Sequence, residues 1–230
     1  MFISLSLFSS LFASEALIEA AKKGDVAALN AALATKVDVD VRHNNATALM
    51  WASKEGHEKV VTTLISKGAD VSAKDSAGYC SLVYSAIEGH TAIVTLLVKK
   101  GADVNTQTKN GNYALTWAVG NGHTQTATEL IKLGANINAH GSDGSSLVAT
   151  AIIGEHVETA KMLVEAGVNV DHADEEGITP LMTAAETGSG ELVKFLLAKG
   201  ANPALKDAEG STAKMYAEES EDDAVVALFK

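Results

Sequence analysis

Apolar residues in this chain come in short helical bursts separated by polar stretches. In "LVYSAIEG" followed by "HTAIVTLLVKKG" they recur every three or four positions, which predicts two short helices joined by a glycine turn. The segment that follows, "VNTQTKNG", has lost that period, and its Asn and Gly content reads as an extended turn or finger. Helix, turn, helix and finger then begin again. No strand is expected.

The repetition has a fixed interval. "KGAD", "KGAD", "LGAN", "AGVN" and "KGAN" place Gly68, Gly101, Gly134, Gly167 and Gly200 33 residues apart, and Gly78, Gly111, Gly144, Gly177 and Gly210 keep the same interval. Gly101 and its counterparts fall just past the second helix, where a left-handed C-terminal cap favours glycine. One helix pair cannot bury its apolar faces alone, whereas stacked pairs share a continuous core and touch only their neighbours.

These residues resemble the ankyrin-repeat family. Residues 177–203, "GITPLMTAAETGSGELVKFLLAKGANP", carry the likeness most fully, against a family pattern that opens Gly-x-Thr-Pro-Leu-His-x-Ala and ends Gly-Ala-Asp. The resemblance implies an all-α solenoid of helix-turn-helix units with finger loops, curved so that first helices and fingers line a concave binding face. It extends over residues 15–230 as one domain of about seven units: an N-terminal cap at 15–44, then 45–77, 78–110, 111–143, 144–176 and 177–209, and a C-terminal cap at 210–230. Several positions depart from the pattern. The Thr that opens the first helix is kept at Thr47, Thr179 and Thr212 and becomes Ser146, but Cys80 and Tyr113 replace it in two units, which implies weaker caps there. Only Pro180 supplies the proline that suits a first helical position. The finger between Val39 and Thr47 is one residue short, so the first junction should be irregular.

Composition agrees with close-packed small helices: aromatics and prolines are scarce, and alanine, leucine, valine and glycine are plentiful. The lone Cys80 rules out an intramolecular disulfide and is expected to be a buried, inert thiol. Residues 2–12 form an uncharged apolar run too short to span a bilayer as a helix, so residues 1–14 are expected to be a signal segment although a basic n-region is lacking. The expected location is then periplasmic or secreted, with the cytoplasm as the alternative, and the processed chain a monomer that does not span a membrane.

Candidate chemistry is sparse. His57, His90, His123 and His156 recur in register at the turns between helices, where the family resemblance implies hydrogen bonds to loop backbone rather than a metal ladder. His43, His140 and His172 share no register. No nucleophile elbow, phosphate loop or dinucleotide fingerprint stands at a strand-to-helix junction, so no catalytic residue, cofactor or metal is assigned and no enzyme activity is expected.

Two asymmetries remain. Trp51, Tyr84, Trp117, Thr150, Thr183 and Tyr216 occupy one position in successive first helices, and the first three are aromatic. Such rings either pack between units or offer an edge to a partner. Charge is the second. Residues 1–142 hold equal numbers of acids and bases, whereas residues 143–230 account for the whole net charge of −11. That excess either solubilises the capping unit or meets a basic partner. Nucleic acid is disfavoured, since phosphate binding needs a basic stripe. The expected function is therefore a protein-binding scaffold. Its candidate contacts are Trp51, Tyr84 and Trp117, the finger residues Ser76, Ala77, Tyr79, Lys109, Asn110 and Asn112, and Glu175, Glu176 and Glu186 further along. The alternative is a subunit that holds a small ligand or metal in its fingers, or an enzyme accessory.

Overall fold

The structure, a computed structural model, describes residues 3–141 and 144–229, with side chains from residue 12 onward. Met1 and Phe2 of the expected signal segment, and Ser142 and Asp143 at a unit boundary, lie outside them. Among the described residues fourteen α-helices follow one another in seven pairs. They are α1 (Ile3–Lys23) with α2 (Val26–Ala34), α3 (Ala48–Lys54) with α4 (Glu58–Ser66), α5 (Ser81–Ile87) with α6 (Thr91–Lys99), and α7 (Ala114–Gly120) with α8 (Thr124–Lys132). Then come α9 (Leu147–Ile153) with α10 (Val157–Glu165), α11 (Pro180–Glu186) with α12 (Gly190–Ala198), and α13 (Ala213–Glu219) with α14 (Asp223–Val226), the last continued by a 3-10 turn over Ala227–Phe229. The fold is the all-α repeat solenoid that the glycine period announces. No helix of the described residues is long and apolar enough to cross a membrane.

Side-chain caps define the helix starts. The hydroxyls of Thr47, Ser146 and Thr179 accept from the amides of Met50, Ala149 and Met182 at 3.3, 3.1 and 3.3 Å. Cys80 makes no such bond at the start of α5. At the start of α7 the bond runs the other way, from the Tyr113 amide to the Thr116 hydroxyl at 2.8 Å. Thr212, in the capping position of α13, makes no cap bond, so threonine there is not sufficient by itself. At the far ends Gly101 has φ +98, a conformation L side chains adopt with difficulty; the first unit fills that place with Lys36 at φ +64.

The expectation of no strands fails at one place. The short first finger closes as a hairpin of β1 (Arg42–His43) and β2 (Ala46–Thr47), with Arg42 opposite Thr47 and His43 opposite Ala46. Losing one residue leaves a two-residue loop, and Asn44 and Asn45 supply the two positive φ angles, +51 and +66, that such a loop requires. Among the described residues of the longer fingers, single bridges form instead, Gln107 with Tyr113 and His140 with Ser146.

The core explains the curvature. Facing the neighbouring first helix, Ala52, Ala118, Ala151, Ala184 and Ala217 are all fully buried, and Ser85 holds the same position in α5. In the second helices the corresponding buried column is Leu64, Leu97, Leu130, Leu163 and Leu196. Small side chains let the first helices approach one another more closely than the second helices do, so the stack bends with first helices on the inside. Each leucine so buried contributes about 1.5–3 kcal/mol of transfer free energy. Two buried hydroxyls in the second layer, Thr126 and Thr159, are satisfied across unit boundaries by Thr91 and Thr124 at 2.7 and 2.6 Å.

Candidate functional site

The first helices of three successive units carry an aromatic strip. Trp51, Tyr84 and Trp117 stand at the middle of α3, α5 and α7, and all three are half-buried, neither in the core nor free of it. Tyr79, at the junction of a finger with α5, joins two of them: its ring centroid lies 5.6 Å from that of Tyr84 and 5.8 Å from that of Trp117, both tilted. Trp51 and Tyr84 border the same small recess beside Met50 and Lys54. The indole N–H groups of Trp51 and Trp117 are buried without an acceptor among the described residues, so packing against the core, not hydrogen bonding, holds these side chains. Above Trp51 sit two ammonium groups, Lys22 at 4.5 Å and Lys54 at 5.8 Å from the ring centroid.

The finger holds the strip in place. Asp75 accepts the amides of Ala77 and Tyr79 on Oδ1, at 2.8 and 2.9 Å, and the Tyr84 hydroxyl on Oδ2 at 2.7 Å. Burial, then this bond to a carboxylate, pushes the Tyr84 phenol above its usual range. The arrangement recurs at the C-terminal cap, where the Tyr216 hydroxyl donates to Asp207 Oδ2 at 2.7 Å and holds the Asp207 carboxyl below its ordinary value.

After Trp117 the column changes character. Thr150 and Thr183 follow, and the space the missing rings leave in front of Trp117 is a recess of about 240 Å³ bordered by Asn112, Thr116, Gly120, Ser145, Thr150 and Ile153. Ile153 is 62% exposed on its rim.

The structure thus gathers Tyr79, Tyr84 and Trp117, sets Trp51 beside Tyr84, and puts half-buried Asn112 in the recess wall. Ser76, Ala77, Lys109 and Asn110 are exposed at neighbouring fingertips, tied by the Lys109 amide donating to the Ala77 carbonyl at 3.0 Å. Glu175, Glu176 and Glu186 are also exposed and lie further along the chain. Sequence reasoning placed Thr150 in the column but chose neither it nor Gly120 nor Ile153 as a contact. The available signal was an isoleucine three residues past a small column residue, where other units carry Lys54 and Glu186.

The histidines serve the scaffold. Nε2 of His57, His90, His123 and His156 lies 2.8, 2.9, 2.8 and 3.1 Å from the carbonyls of Lys22, Lys54, Ile87 and Gly120 in the preceding unit. A carbonyl only accepts, so Nε2 carries the proton in each. Burial raises the Cys80 thiol above its ordinary range and keeps it a neutral, packed group. Among the described residues no three His, Cys, Asp or Glu side chains converge as metal ligands would.

Comparison with known proteins agrees with this architecture. A family model described as ankyrin repeats (3 copies) matches residues 6–75, 82–174 and 149–230. Among solved structures, the human ASB11 ankyrin repeat domain is 28% identical, with 93% of this chain and 96% of that one covered at a TM-score of 0.82. The ankyrin repeat domain of Bcl-3, described as a unique member of the IkappaB protein family, is 24% identical and shares the fold, with 93% and 97% covered at a TM-score of 0.82.

Proposed function

Because the chain belongs to the ankyrin-repeat family, whose domains generally mediate protein–protein interaction, we propose that it is a binding scaffold that holds another protein against its inner groove. One observation carries the reading. Three aromatic rings in contact, Tyr84, Tyr79 and Trp117, and Trp51 across a shared recess from Tyr84, stay partly exposed across three units. A core would bury such rings fully, while a central aromatic patch with a polar rim is what interfaces use as anchors. The fingertips Ser76, Ala77, Lys109 and Asn110 form one rim and Glu175, Glu176 and Glu186 an acidic extension.

The test is site-specific photo-crosslinking of the full chain in its native compartment, with the probe placed at Tyr84 or at Thr62 on the outer helix α4. A partner trapped from Tyr84 and not from Thr62 supports groove binding. Trapping from Thr62 alone overturns it.

Export is proposed as well, on the uncharged apolar run at residues 2–12. N-terminal sequencing of protein from its host should then find a mature start near Ser14 or Glu15. An intact Met1 form in the cytosolic fraction would remove the proposal.

A further inference from the structure

We infer that the recess between Trp117 and Ile153 is an anchor pocket for one apolar side chain of a basic polypeptide segment. This rests on the binding-scaffold reading and specifies the partner's chemistry.

The pocket exists because two neighbouring columns lose their side chains at one place. Where earlier units place a ring, α9 has Thr150; where α3, α5, α9 and α11 end in Lys54, Ile87, Ile153 and Glu186, α7 ends in Gly120. A Cβ on Gly120 would stand 3.6 Å from the Thr150 methyl, in ordinary contact, so the glycine is not forced by crowding and its side-chain space is open to a ligand. The recess is open to solvent, and the Trp117 indole and the Ile153 side chain give its lining apolar surface. A cavity of roughly 150 Å³ holds benzene. The recess, at about 240 Å³, therefore accepts a leucine, methionine or phenylalanine side chain. Ile153, 62% exposed, gains its largest burial only when something apolar enters beside it. The side-chain amide of Asn112, half-buried on the finger side, offers a donor and an acceptor to the backbone of an extended segment.

Charge selects the occupant. A Cβ on Gly144 would meet the Glu175 Cγ at 3.1 Å, so the Glu175 stem lies directly beside the wall that carries Ser145. Glu186 occupies the place of Ile153 one unit on, and Glu176 is exposed at the same fingertip as Glu175. Among the described residues none of these three carboxylates is in an ion pair. A segment whose anchor residue is flanked by lysine or arginine on this side satisfies them, and an acidic segment is repelled.

The experiment selects a random-peptide phage library on the immobilised full-length chain, then measures the synthetic consensus peptide against variants. Enriched peptides should carry one large apolar residue with Lys or Arg within a few positions. Gly120→Leu, which fills the pocket, and Ile153→Ser, which alters an exposed residue and keeps the fold, should each bind about tenfold more weakly or worse. Glu175→Gln, Glu176→Gln and Glu186→Gln together should flatten the salt dependence. Thermal unfolding of each variant shows whether the fold persists. Acidic consensus peptides, no enrichment, or parent-like binding by both Gly120→Leu and Ile153→Ser would overturn the pocket. In that last case, weakening by Trp51→Ala leaves the groove reading standing, whereas indifference to Trp51→Ala as well removes both.

Discussion

His123 lies across Gly89. Its Nε2–H donates to the Ile87 carbonyl at 2.8 Å, and a Cβ on Gly89 would come 2.6 Å from its Nδ1. The same ring stands over the same glycine in the pairs His57 with Gly24, His90 with Gly56 and His156 with Gly122. Where the next unit has Ser189 instead of histidine, the glycine becomes Glu155 at φ +59. Glu221, at φ +58, is followed by no further helix pair among the described residues. Gly188, at φ +68, faces Asp222 and no ring, so glycine also stands where nothing crowds it; at the four covered positions the ring adds to the demand of the backbone.

Gly89→Ala should therefore cost more than the roughly 1–2 kcal/mol of a left-handed alanine, and part of that cost should vanish in the His123→Ala background. The converse substitution, Ser189→His, should destabilise the parent and do so less when Glu155→Gly is also made. Chemical denaturation of the double-mutant cycles measures both; additive effects would mean that ring and glycine are independent.

Cys80 leaves the start of α5 without a side-chain cap, while Thr47, Ser146 and Thr179 cap their helices. Cys80→Thr should raise the denaturant midpoint by an amount equivalent to about 0.5–2 kcal/mol. A lower midpoint would show that packing of the buried sulfur outweighs the missing bond.

Tyr84 and Tyr216 hold their protons more tightly folded than unfolded: burial leads for Tyr84, and the bond to Asp207 leads for Tyr216. Below about pH 10 both states keep the phenol protonated and nothing changes; above it the unfolded chain releases protons that the folded chain retains, so stability falls as pH rises. The Tyr84→Phe, Tyr216→Phe double variant should lose less stability than the parent as pH rises from about 10 to about 11.5. Equal loss would mean that neither hydroxyl carries the alkaline transition.

Aromatic and acidic parts of the groove should fail differently once a partner is in hand. Trp51→Ala and Trp117→Ala should mainly raise the dissociation rate, each losing about 2 kcal/mol or more of affinity if it anchors the interface. Replacing Glu175, Glu176 and Glu186 together by Gln should slow association, most at low ionic strength. Kinetics at two salt concentrations separate the cases. Tryptophan variants that lose fold rather than affinity would place the strip in the core.

Much of this was legible along the chain because a repeat protein makes its contacts within a unit or with the neighbouring units, a fixed interval away. Gly68 and its counterparts at intervals of 33 give the units, the burst spacing gives the helices, and the repeated His57, His90, His123 and His156 give the turns. The chain also marked Trp51, Tyr84 and Trp117 as a column.

Tertiary structure decided what periodicity leaves open. Whether a ring in a column packs or faces a groove depends on how closely first helices approach, which the small Ala52, Ala118 and Ala151 set jointly with the large Leu64, Leu97 and Leu130 behind them. That Tyr79 bridges Tyr84 and Trp117, and that Asp75 anchors Tyr84, follows from a finger folding back over its own helix. The pocket before Trp117 is a product of two absences, at Gly120 and Thr150, each unremarkable in its own unit. A sequence pattern reports which side chains recur. Empty space is defined only when neighbouring units are brought to their packing distance, so the sequence determined the scaffold and the stack determined the site.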